Sequence, residues 1–91
     1  MLSIRRVIGQ SMQPTYNPGT IVLGLKWARP QVGSVVVAER DGLEIIKRVG
    51  EVGERGFYLL GDNPECSTDS RSYGWFAPGS IKSVIIGSIK R

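Results

Sequence analysis

Residues 34–49 read SVVVAERDGLEIIKRV, and this stretch establishes the class of fold. Two runs rich in β-branched residues lie on either side of Asp41-Gly42. An Asp-Gly pair in that position is a strong hairpin signal, because both central residues of the favoured two-residue turn need a positive φ. We therefore predict that Ser34–Arg40 and Leu43–Val49 are antiparallel neighbours in a sheet.

The rest of the chain shows the same alternation of turn residues and β-branched runs. Glycine and proline recur at intervals of about ten residues, with β-branched runs between them, which is typical of an all-β sandwich or barrel. No stretch shows a helical period, so a single all-β domain over residues 1–91 is expected. The predicted strands are Ile4–Ile8, Ile21–Leu25, Ser34–Glu39, Leu43–Val49, Phe57–Leu60 and Ile81–Ile89. Further turns are predicted at Asn17-Pro18-Gly19, Gly53–Gly56 and Pro78-Gly79.

Composition excludes several kinds of active site. The 91 residues include no histidine and a single cysteine, Cys66. A Ser-His-Asp triad and a Cys-His pair are therefore excluded. One cysteine forms neither an intrachain disulfide nor a structural zinc site. Any nucleophilic catalysis must use another base, for which lysine is the usual substitute.

Charge and hydropathy indicate whether the chain is suited to contact nucleic acid or a membrane. The net charge is +4, and basic residues cluster loosely at the two ends of the chain. Acidic residues are interspersed among them, which favours a solvated surface over contact with nucleic acid or an anionic membrane. No apolar run approaches the ~18 residues of a membrane helix. Residues 1–6 are too short for a secretory signal, so a soluble chain is expected.

Lys47 is a candidate base because of its strand position. Alternation places it on the same face as Leu43, Ile45 and Val49, where burial is expected. Burial disfavours the charged ammonium and lowers its pKa from about 10.4, which is how a lysine becomes a base near neutral pH. The alternative is a lysine whose stem packs and whose head reaches water. On these residues alone, that alternative is favoured.

Ser11 is a candidate nucleophile in an irregular segment. Gly9 precedes it and Pro14 follows it, which suits a serine presented on a tight turn that holds at most one helical turn. A serine hydroxyl is a weak nucleophile and needs a partner to take its proton. The alternative is a turn or capping serine, the commonest use of this residue. The segment Gly61–Tyr73 is polar and long for a structural loop, which points to a functional one.

Three motifs resemble those of type I signal peptidases, in the same order and spacing. The residues Ser11-Met12-Gln13-Pro14-Thr15 resemble the Ser-Met-x-Pro-Thr box around the nucleophile of that family. Ile46-Lys47-Arg48-Val49-Gly50 resembles its Lys-Arg box. Gly61-Asp62-Asn63, followed by Ser67-Thr68-Asp69-Ser70-Arg71, resembles its Gly-Asp-Asn…Ser-x-Asp-Ser-Arg box. The resemblance extends from about Val7 to Gly87.

This resemblance implies a fold and a mechanism. The fold would be twisted antiparallel sheets or a partly open barrel. Ser11 would attack the scissile carbonyl, Lys47 would take its proton, and Ser67 would hydrogen-bond the lysine and orient it. The backbone N–H of Ser11 would stabilise the oxyanion. No cofactor or metal is implied.

The resemblance also implies supporting and substrate-binding residues. Asp69 and Arg71 would pair and hold the long loop under the site, with Asp62 and Asn63 as further support. Alternatively, Asp69–Arg71 is a surface pair of little energy and Ser67 a turn hydroxyl. The substrate would lie extended beside the nucleophile. The residues expected to contact it are Val7, Ile8, Met12, Tyr16, Ile45 and Ile46.

The chain departs from the family pattern in ways that affect function. Gly9 stands where many members carry a Ser or Thr oxyanion donor, and Tyr16 replaces a leucine that helps shape the substrate pocket. The second β domain and the membrane helix of larger members have no counterpart. Short relatives without an anchor mature nickel-containing superoxide dismutase, which implies a cytoplasmic enzyme that removes an N-terminal leader. The alternative is the extracytoplasmic catalytic core of a membrane-anchored signal peptidase.

Two other interpretations remain. Repressor-type self-cleaving proteases also use a Ser–Lys pair and a Ser-Met-x-Pro box, but they lack the segment seen here at 61–71. A non-enzymatic β-barrel would bind nucleic acid through aromatic platforms. Its candidate residues are Trp27, Tyr73, Trp75 and Phe76. That interpretation leaves the three motifs unexplained, so the expected partner is a precursor protein or peptide and not a nucleic acid.

Overall fold

A computed structural model describes residues 1–89 as one antiparallel sheet of six strands. The strands are β1 (Leu2–Arg6), β2 (Ile21–Leu25), β3 (Val35–Arg40), β4 (Leu43–Gly53), β5 (Gly56–Leu60) and β6 (Ile81–Ile89). The all-β class is confirmed, and each of the six predicted strands overlaps an observed one. Two bounds were wrong, because β1 ends at Arg6 and not at Ile8, and β4 continues four residues beyond Val49. Lys90 and Arg91, which the predicted domain range includes, lie outside the described residues.

The hairpins form where the turn residues predict them. Asp41 and Gly42 have φ values of 53° and 83°, and Arg40 lies opposite Leu43 across the turn. The second hairpin joins β4 to β5 with Gly53 opposite Gly56. These two turns make β3, β4 and β5 consecutive neighbours in the sheet.

The remaining connections curl the sheet. The strand order is β1-β2-β6-β3-β4-β5, so the last strand of the chain lies in the interior and joins β2 to β3. β1 and β4 are four places apart in this order, yet the guanidinium of Arg5 contacts the carboxylate of Glu44 at 2.6 Å. The free edge of β1 therefore curves round to face β4. Among residues 1–89, no helix combines the length and apolarity that crossing a membrane requires.

The core is formed by side chains of β3, β4, β5 and β6 together with Phe76. It comprises Val36, Ala38, Val49, Leu59, Phe76 and Val84. Lys47 lies among these residues and is only 5% exposed. Leu43, expected on the same buried face, is 71% exposed, because it directly follows the hairpin turn and lies beyond the end of the core.

One helix was not predicted. α1 (Ser70–Tyr73) lies inside the polar segment that we expected to be a loop, and short 3₁₀ turns occur at Pro64–Cys66 and Pro78–Ser80. Four residues are too few to show a helical period. The signal was a cap, because the Asp69 carboxylate accepts a hydrogen bond from the Arg71 N–H at 3.1 Å. An aspartate at this position satisfies a donor that the helix leaves unpaired.

Candidate active site

The segment that carries Ser11 continues directly from β1. Val7 extends the pairing of that strand, since its N–H donates to the Thr20 carbonyl at 2.8 Å. Met12, only 1% exposed, anchors the segment in the interior. The Tyr16 N–H donates to the Met12 carbonyl at 2.9 Å, which completes the single helical turn. Ser11 therefore precedes a buried anchor at the start of that turn.

Lys47 lies on β4 opposite Val36 of β3. Burial lowers the pKa of Lys47, the nearby charge of Asp69 opposes that shift, and the charge of Arg71 adds to it. Within the described part of the chain, no hydrogen bond contributes to the pKa of Lys47. A desolvated amine without an anionic contact favours its neutral form.

Ser11 and Lys47 open onto one cavity of about 440 Å³. Its other lining residues are Arg5, Arg6, Val7, Ile8, Met12, Val37, Glu44, Ile45 and Ile46. Five of the six residues expected to contact substrate are therefore present. Tyr16 is not among them and lies near Arg48. Sequence reasoning missed the contribution of Arg5, Arg6, Val37 and Glu44, since nothing local indicates that β1 meets β4.

Asp62 and Asn63 tie the Ser11 segment to the rest of the site. The Asn63 N–H donates to the Ser11 carbonyl at 2.8 Å, and its side-chain amide donates to the Gln10 carbonyl at 3.0 Å. The Asp62 carboxylate accepts from the Thr15 hydroxyl and, through both oxygens at 2.8 Å, from Arg48. The hydrogen bonds from Arg48 lower the pKa of Asp62. Because Arg48 follows Lys47, this carboxylate connects the two candidate catalytic segments.

Asp69 organises the end of the 61–71 segment from a position that is 1% exposed. It accepts from the Gly61 N–H and the Ser67 hydroxyl, both at 2.8 Å, and from the Arg71 guanidinium at 2.9 and 2.6 Å. Burial alone would raise the pKa of Asp69. The hydrogen bonds from Arg71, Gly61 and Ser67 outweigh that effect and hold this pKa well below its usual range. Asp69 is thus an anion that fixes Ser67 and Gly61.

The hydrogen bond that Ser67 makes differs from the one expected. Its hydroxyl donates to Asp69, and no hydrogen bond joins it to Lys47 within residues 1–89. Its oxygen keeps lone pairs that can accept from an ammonium. Ser67 also packs against Gly61, where a Cβ would overlap the Ser67 hydroxyl and lie 2.8 Å from the Ser11 carbonyl oxygen. The sequence analysis included Gly61 in the third motif but gave it no role, although a glycine near a strand often marks a close approach.

Comparison with known protein families identifies the family to which the chain belongs. A family model described as Peptidase S24-like matches residues 2–74, a range that contains all three motifs and both candidate catalytic residues. No curated protein matches the chain. Within residues 1–89, no three Asp, Glu or Cys side chains gather as metal ligands. The match is consistent with the signal-peptidase-like resemblance. The chain belongs to the Peptidase S24-like family and has the fold of a serine-type peptidase.

Proposed function

We propose that this protein is an endopeptidase that removes an N-terminal leader from a precursor protein, with Ser11 as nucleophile and Lys47 as general base. The observation that carries the proposal is the shared cavity. Ser11 and Lys47 both line it, and Lys47 is buried with a lowered pKa. No hydrogen bond joins Ser11 to Lys47 among the described residues, so the substrate-bound form must bring the two groups within reach for the neutral amine to activate the hydroxyl.

The proton moves between these two groups. As the Ser11 Oγ attacks the scissile carbonyl, its proton passes to the Lys47 Nζ. The resulting ammonium protonates the leaving amine, which departs and leaves an acyl-enzyme on Ser11. Lys47 then takes a proton from the attacking water, and collapse of the second tetrahedral intermediate returns a proton to Ser11. No cofactor is needed for any of these steps.

Asn63 supports an oxyanion donor at Ser11. Within residues 1–89 the Ser11 N–H makes no hydrogen bond, so it is free to donate to substrate. The Gln10 carbonyl and this N–H belong to one planar peptide unit and point in opposite directions. By holding that carbonyl at 3.0 Å, the Asn63 amide fixes the direction of the N–H. Gly9 offers no side-chain donor, so this oxyanion site is made by the backbone.

Two free strand edges favour an extended substrate. β1 is the first strand in the sheet order and pairs only with β2. β5 pairs with β4 only from Arg48 to Gly53, which leaves residues 43–47 of β4 with one open edge. The cavity lies between these edges, since residues 5–8 and 44–47 line it. A peptide inserted there would hydrogen-bond as an added strand, which requires a flexible segment such as a leader.

The substrate that we would test first is the nickel superoxide dismutase precursor. We expect one cut after a small residue in its disordered leader, with the folded part intact, read as the new N-terminus by mass spectrometry. The Ser11→Ala variant serves as the control and should leave the precursor whole. Cleavage only of a secretory preprotein in detergent would favour an anchored signal peptidase. Cleavage only of the enzyme's own chain would favour the repressor-type mode.

The pH dependence follows from the pKa of Lys47. Because burial lowers this pKa and the neutral amine is the active form, kcat/KM should rise from neutral to mildly alkaline pH and then level off. The unfolded chain binds this proton more tightly, so the free energy of unfolding should also rise with pH across the same interval. A rate that stays constant between about pH 6 and 10, or NMR showing Lys47 charged up to pH 10, would contradict this assignment.

A further inference from the structure

We infer that Arg6 makes this site selective for an acidic side chain in the substrate, a few residues from the scissile bond. The inference deepens the proposed function, since it concerns the peptide that occupies the same cavity. Arg6 lines that cavity at the exposed end of β1. None of the substrate-contacting residues expected from the sequence carries a charge.

Arg6 lies where a bound peptide would pass. In β1 its neighbour on the sheet side is Ile21 of β2, which offers no negative charge. On the other side β1 has a free edge, so a peptide added there would place one of its own residues directly opposite Arg6. Directly opposed residues of neighbouring strands have their Cβ atoms about 5 Å apart, and opposite charges in such pairs are favourable. An Asp or Glu of the substrate fits that place.

The charges around the cavity leave Arg6 as the dominant cation. Arg5 is already neutralised by the Glu44 carboxylate, through hydrogen bonds of 2.6 and 3.0 Å. Lys47 must be neutral to act as the base. Arg6 has no ion pair within residues 1–89. The basic end of the cavity therefore depends on one side chain.

The remaining wall makes that charge selective. It is almost entirely aliphatic, and it includes Val7, Ile8 and Ile46. Such a wall accepts many uncharged side chains with small differences in affinity, so a charge opposite Arg6 is the feature that most distinguishes one substrate from another. Arg6 also precedes the proposed nucleophile, Ser11, by five residues along the chain. The position it selects is consequently close to, but not at, the bond that is cut.

The experiment measures binding first, so that it does not depend on turnover. The Ser11→Ala protein is titrated with acetylated, amidated decapeptides of Ala and Val in which one Asp is scanned through every position. We expect one position at which Asp tightens binding by about 3- to 10-fold over Ala and Lys weakens it. The gain should shrink in about 0.5 M NaCl, because salt screens exposed charges. In the Arg6→Glu form of the same protein, the preference at that position should reverse to Lys.

A matched control variant and two possible results test the role assigned to Arg6. Arg55→Glu makes the same charge change at an exposed arginine in the β4–β5 turn, and it should leave the preference for Asp intact. An Asp preference that survives Arg6→Glu, or the absence of any Asp preference, overturns the inference. A preference seen only with a free C-terminal carboxylate also overturns it, because the chain terminus would then be the ligand. If the wild-type protein, which retains Ser11, cleaved no peptide, that result would count against the proposed function alone.

Discussion

Alanine at Ser11 or at Lys47 is expected to lower peptide cleavage by about 1000-fold or more while the domain stays folded. Ser11→Ala removes the atom that forms the acyl-enzyme. Among the described residues that line the cavity, Lys47 is the one side chain that can take the proton of Ser11, since Arg5 and Arg6 stay charged and Glu44 is held by Arg5. Because both residues act in one step, the double variant should be no worse than either single variant.

Two further substitutions at Lys47 separate its chemistry from its packing. Lys47→Arg keeps a long cationic side chain, but a guanidinium is not a base near neutral pH, so this variant should be inactive. Lys47→Met keeps the apolar stem and removes a buried amine, whose desolvation costs free energy. Its thermal midpoint should therefore equal or exceed that of the wild type, while its activity is lost. Turnover above a few per cent of wild type in any of these variants would refute the dyad.

Gly61→Ala is expected to reduce cleavage by about 100-fold, although residue 61 has no side chain and is not among the residues that line the cavity. The added Cβ would lie 2.5 Å from the Ser67 Cβ and 2.8 Å from the Ser11 carbonyl oxygen. The second of these atoms belongs to the backbone of the nucleophile, so relief of the overlap must move Ser11 or the 61–71 segment. A displacement of about 1 Å from the attacking position is enough for a loss of that size.

The control for this variant is Gly79→Ala. A Cβ at Gly79 would meet no atom within 4 Å, so both activity and thermal midpoint should be close to those of the wild type. Peptide kinetics and thermal unfolding of the two variants side by side give the measurement. Wild-type kcat in a folded Gly61→Ala protein would show that the close approach of Ser67 and Ser11 is irrelevant to catalysis.

The strands were predictable because their signals are local. The Asp41-Gly42 turn and the β-branched runs on each side of it specify a hairpin without reference to the rest of the chain. By contrast, the four-residue helix at Ser70–Tyr73 is shorter than any period that could reveal it. Leu43 was placed wrongly on the buried face for a related reason, because alternation identifies a face but not where the core beneath it ends.

The motifs supplied the candidate residues of the site but not the hydrogen bonds that connect them. The motifs identified Ser11 and Lys47 as candidates, and the family match confirms a serine-type peptidase without testing their roles. The sequence could not show that Ser67 donates to Asp69, because a serine hydroxyl can hydrogen-bond either to an aspartate or to a lysine. Tyr16 was expected in the pocket by its motif position, whereas the helical turn after Ser11 leaves it outside the lining.

The amino-acid sequence by itself determined the strands, the turns and the kind of base available, because turn preferences, alternation and the lack of histidine are properties of the chain alone. Only the tertiary structure decided that Lys47 is desolvated and that it shares a cavity with Ser11. Desolvation depends on which strands cover a residue, and here that cover comes from distant parts of the chain. The cavity itself exists because the sheet curls until β1 meets β4, a long-range contact that no local pattern encodes.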